Sequence, residues 1–195
     1  MNRLIHFLQA RATGKVVLPL FIITMGVYAT MLLVTIPAVQ AQAPELPLFD
    51  MSPGGYSLAY ATTLLAAIGE SGRQTYLVRQ LPLDFVYPGL LAITYTLLLI
   101  WLFKRGFAAK SPIFYLAFVA AFAGFFDYLE NIGIILMLWS YPDLSATTVA
   151  LTSISTVLKS ACTTGFFLLL LVGVIAFIRK SLAARSRTAP VQHTV

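Results

Sequence analysis

At 195 residues the chain has room for one compact helical domain, and none for a membrane bundle with a separate soluble enzyme. Only 10% of the residues are charged and 59% are hydrophobic, too little charge to cover a soluble surface, so lipid is the natural solvent. The net charge of +6 gathers at the ends of apolar runs, which reads as membrane orientation and excludes a nucleic-acid footprint.

The first fifteen residues are basic and mildly amphipathic, which suits a helix lying on the inner leaflet. An apolar run at 16–39 is long enough to span about 30 Å of hydrocarbon. A rival reading takes it as a signal peptide with a cleavage site near Ala38 to Ala43, but the run exceeds a typical signal core. The next segment, 56–80, predicts a short helical cap on the outer face. Leu58, Ala61, Leu64, Leu65 and Ile68 recur at helical spacing, Gly69 can end that helix, and a second short helix fits from Ser71 to Gln80. Further spans are predicted at 81–103, 113–139 and 146–178, followed by a disordered cytoplasmic tail at 181–195. The fold class is therefore an all-α, four-helix membrane bundle with a helical cap, one domain over 1–180.

Lysine and arginine alternate along these segments. Ten lie before the first span, between the second and third, or after the fourth; only Arg73 and Arg79 lie in the other two connections. The positive-inside rule places both termini on the cytoplasmic side of the membrane. Trp101, Trp139 and Tyr141 fit the interfacial aromatic belts.

Few residues carry chemistry. In the third span Asp127, Glu130 and Asn131 stand at i, i+3 and i+4, on one helix face near the expected bilayer middle. Lys159 in the fourth span falls at a similar depth across a short hairpin, and Thr152, Ser155, Thr156 and Thr163 extend a polar stripe around it. The expected result is an ion-paired cluster in a polar pocket open to the outer side. In the second span Pro82 suits a first helical turn, with Asp84 near the helix N-terminus. Pro88 lacks an N–H, so the Asp84 carbonyl loses its helical partner. Arg73 and Arg79, just outside, are candidate anion contacts. Gly124 and Gly133 suit close helix contact.

The set can serve as a binding or transport pocket for a small molecule or amphiphile, as the acid–base group of a lipid-modifying enzyme, or as ion pairing inside a structural subunit. The lone Cys162 excludes an intramolecular disulfide, and His6 and His193 are isolated, so no metal site is expected. No nucleotide or redox-cofactor motif is present. The bilayer is the one partner the sequence names.

The pattern Gly55-Tyr56, Gly69-Glu70-Ser71-Gly72-Arg73, Asp84 to Pro88 (LDxxYP with Leu83), Asp127 to Asn131 (DxxEN) and Lys159 resembles small four-pass membrane proteins of bacteria. It covers about residues 49 to 160, and the resemblance implies the fold and no particular chemistry. In pass count and buried acids the chain is also loosely similar to the emopamil-binding-protein class, which binds or isomerises sterols. The motif order differs there, and Lys159 is no part of that pattern.

Overall fold

The computed structural model describes residues 3–188, with side chains described to residue 183. It is all-α among the described residues. Four helices are long and apolar enough to cross a membrane: Gly14–Gln40, Gly69–Gly106, Ile113–Ser140 and Ala146–Ala183, here spans 1 to 4. A short helix, Arg3–Arg11, precedes them. It packs Ile5 into the bundle, and the Lys104 ammonium donates to the carbonyls of Gln9 and Ala12. This end of the molecule, with the 107–112 connection, is the basic face. The opposite end carries the 41–57 segment, the turn Phe49–Met51 and a cap helix, Leu58–Ala67.

The cap helix buries Ala61, Leu64 and Leu65 with the adjoining Ile68, as its spacing predicts, and Leu58 stays exposed. Ser57 caps it by accepting from the Tyr60 N–H, and Gly69 ends it at φ +64°, a conformation glycine adopts without steric cost. The second predicted cap helix does not form separately. From Gly69 the chain runs without a break into span 2, so Asp84 lies fifteen residues inside a helix and not at its N-terminus. Pro82 is accommodated by a π-helical turn, Tyr76–Gln80, in which the Leu81 N–H reaches the Tyr76 carbonyl. Span 1 does the same before Pro37, through Met31–Thr35. The helix of span 4 continues to Thr188, so 181–188 of the expected disordered tail is helical; 189–195 lies outside the described residues.

Spans 2, 3 and 4 pack on one another, whereas span 1 packs along span 2 and makes no extended contact with span 4. Glycines set two of the crossings. A Cβ on Gly133 would overlap the Thr152 side chain of span 4, and one on Gly124 would sit 2.5 Å from the Pro88 carbonyl oxygen of span 2. Two apolar cores result. One, towards the cap, is built on Leu48, Phe49, Leu64, Tyr76, Ile134 and Met137. The other, towards the basic face, is built on Leu91, Ile100, Phe103, Phe114 and Phe166. In spans 2, 3 and 4 Asp84, Asp127, Glu130, Asn131 and Lys159 fall between these two cores.

Candidate functional site

The layer between the cores holds Asp84, Asp127, Glu130, Asn131, Thr156 and Lys159. All but Lys159 are essentially buried. Asp127, Glu130 and Asn131 share one face of span 3 because their spacing follows the helical repeat. Lys159 ion-pairs with Glu130 and stands 3.3 Å from an Asp127 oxygen, so both predicted partners meet it. Thr156, one turn earlier on span 4, donates to the other Glu130 oxygen at 2.6 Å. Buried charges need such partners, because neither lipid nor protein replaces the water they lose.

Asn131 turns away from the ion pair. Its amide donates at 2.8 Å to the Asp84 carbonyl, the acceptor that Pro88 leaves without a helical N–H. Span 3 thereby repairs the break in span 2. The Asp84 carboxyl accepts a long bond, 3.4 Å, from Gln80, whose carbonyl oxygen accepts from Thr35. Gln80 and Thr35 are the last residues of the two π-helical turns. Such turns widen the helix locally and often accompany functional positions. Here they join span 1 to the polar layer.

The 41–57 segment supplies a residue that sequence reasoning missed. Asp50 lies beside the cluster, its Oδ2 accepting from the Tyr76 hydroxyl at 2.6 Å. Its Oδ1 is buried and accepts no hydrogen bond. Gly55 and Tyr56 close the layer from the cap side. The Tyr56 N–H donates to Ser153 at 2.8 Å, and Gly55, at φ +80°, passes so near Ser153 that a Cβ would lie 2.6 Å from its oxygen. Burial, reinforced by the Glu130 carboxylate, raises the Tyr56 phenol above its ordinary pKa, so it stays protonated.

A cavity of about 570 Å³ adjoins the layer. Asp50 and Pro53 form its cap-side end; Asp127, Lys159 and Ser160 form a polar wall; Tyr28, Tyr87 and Tyr95 face them. Phe21 and Tyr28 of span 1 and Thr164 and Phe167 of span 4 line it and are exposed, so the cavity is open sideways, between two helices that do not pack together. Phe21, Leu98 and Leu170 line both this cavity and a second, almost wholly apolar one of about 510 Å³ that ends at Trp101 and Gly14. The two adjoin at these residues, the first with a polar wall and the second hydrocarbon-like.

Glu130, Asn131 and Asp84 do not line the cavity, so of the predicted cluster only Asp127 and Lys159 can touch an occupant. The two outer arginines stand apart. Arg73 donates to the Leu65 carbonyl at 2.7 Å and lies 4.2 Å over the Tyr141 ring, and Arg79 is exposed. Among the described residues no three His, Cys, Asp or Glu side chains are grouped to hold a metal ion. No protein-family model, curated protein or solved structure matches the chain.

Proposed function

We propose that this is a multi-pass protein of the bacterial cytoplasmic membrane, both termini in the cytoplasm, that binds an amphiphile in the groove between spans 1 and 4. The ten-to-two distribution of basic residues supports the orientation. Depth supports the ligand class. Twenty helical residues rise about 30 Å, the thickness of the hydrocarbon core. Counted from the basic ends Lys15, Trp101 and Arg179, twenty residues reach Thr35, Leu81 and Lys159. The polar layer then lies near the outer edge of the hydrocarbon, the cap stands above it, and the apolar groove runs down through the acyl region. The observation that carries the reading is this pair of adjoining cavities, with Lys159 and Asp127 lining the first, Gly14 and Trp101 the second, and Leu98 and Leu170 both.

Native mass spectrometry of protein extracted in mild detergent tests it. The wild type should carry a bound amphiphile, and Leu98→Trp, which fills the groove where its two parts join, should fold and carry none. A wild type that holds no amphiphile, and whose thermal stability no added amphiphile changes, overturns the reading. Because Asp127 lines the cavity, a lipid-modifying reaction is the second reading, with Asp127 as its acid or base. A precursor lipid accumulating in a deletion strain would favour it; an unchanged lipidome with altered solute uptake would favour movement of the ligand.

A further inference from the structure

We infer that the groove takes a single-chain amphiphile whose head donates hydrogen bonds and carries positive charge, an alkylamine in chemical class, with Asp50 as its principal contact. The inference rests on the amphiphile-binding reading and adds the nature of the head. Its first support is charge. Asp127 and Glu130 share one ammonium, Lys159, and Asp50 lines the same cavity as Asp127 and Lys159. The arginines of the cap do not supply a second cation, since Arg73 is engaged with Leu65 and Tyr141 and Arg79 is exposed. An anionic head would add to a surplus of carboxyl groups in a poorly solvated site, whereas an ammonium offsets it.

The second support is hydrogen bonding. Asp50 Oδ1 is buried without a donor at the cap-side end of the cavity, and Asp127 offers Lys159 only one of its two oxygens. Both call for donors, and an ammonium has three to give. The third is length and shape. From Lys159 to Leu170 the groove follows span 4 for eleven residues, about 16 Å, and it ends at Trp101. A chain of twelve carbons is of this length.

The experiment uses Trp101 as the reporter, in full-length protein carrying Trp139→Phe and reconstituted in nanodiscs. The probes are twelve-carbon amine, alcohol and sulfate, each brominated near the chain end so that a seated chain quenches Trp101. The amine should quench at about tenfold or more lower concentration than the sulfate, the scale of a charge-assisted contact. Asp50→Asn keeps an acceptor for Tyr76 and should reduce that preference to about threefold or less. Equal quenching by all three heads leaves the groove reading standing and overturns the head assignment. A preference for sulfate overturns it too. An amine preference that survives Asp50→Asn overturns Asp50 as the contact. No quenching by any head, in protein whose thermal transition is intact, overturns the amphiphile reading itself.

Discussion

The two apolar cores differ in how they hold span 4. On the cap side the helix is fastened at Ser153 by Tyr56, at Thr152 by the close pass of Gly133, at Thr156 by Glu130 and at Lys159 by two carboxylates. On the basic side the same helix contributes Phe166 to the core and turns Leu168, Leu171 and Ile175 outward. Apolar side chains gain little by leaving lipid for protein, so in a bilayer close packing and polar contacts set which helices stay together. Below Lys159 the helix still packs closely on span 2, Gly173 against Leu102 and Ala176 against Gly106, and the cavity lies between it and span 1, with which it makes no extended contact. The polar layer thus serves as the fastening of one half and the polar wall of the cavity in the other.

The sharpest way to break this contrast is to remove the fastening cation. Lys159→Met leaves Asp127 and Glu130 without a positive partner and should cost about 3–5 kcal/mol, read as a lower thermal transition in detergent. Glu130→Gln in the same background should recover part of the loss, since an amide oxygen still accepts from Thr156, and adding Asp127→Asn should recover most of it. The restored protein should fold yet bind the alkylamine more weakly, because Asp127 no longer offers a charged oxygen while Asp50 remains. Strictly additive losses in this cycle would show that Lys159 is coupled to neither acid.

A smaller effect concerns the join between spans 2 and 3. Asn131→Leu removes the donor that satisfies the Asp84 carbonyl and should cost about 1–3 kcal/mol, the penalty for an orphaned buried acceptor. Pro88→Ala supplies a backbone N–H one turn below that carbonyl. In that background Asn131→Leu should become appreciably less costly, and a cycle in thermal stability measures the coupling. Equal cost in both backgrounds would mean that Asn131 acts through packing alone.

The pairing of Lys159 with the third-span acids was legible because two long apolar runs joined by a short hairpin leave little freedom in relative depth. The free Asp84 carbonyl was legible too, from Pro88 alone. Its donor was not, since the spacing of Asn131 groups it with Asp127 and Glu130 and says nothing about which neighbour it faces. The start of span 2 was misread because Pro82 suits a first turn equally well; only the π-helical turn before it lets the helix continue. The sequence places Asp127 near the bilayer middle, whereas the depth proposed above, counted from the basic face, puts it nearer the outer edge. Asp50 had no periodic signal at all: it is one acid in an irregular connection, and only tertiary packing brings it to the cavity.

The smallest effect separates two residues that look alike in sequence. Arg73 and Arg79 were paired as candidate anion contacts, yet they stand in different surroundings. The Arg73 guanidinium closes the cap, donating to the Leu65 carbonyl near the end of the cap helix and lying over Tyr141 beyond span 3. Arg73→Ala should therefore cost about 1 kcal/mol of stability, shared between one charge-assisted bond and one cation–π contact, both partly exposed. Arg79→Ala, on an exposed position, should change the thermal transition by less than about 0.5 kcal/mol. Neither should alter quenching of Trp101 by the alkylamine, since neither lines the groove. Weaker amine binding in Arg73→Ala would tie the cap to the polar end of the cavity through the segment carrying Asp50. Tighter binding of the sulfate in the wild type than in Arg79→Ala would restore that arginine as an anion contact, and with it a headgroup of the opposite sign.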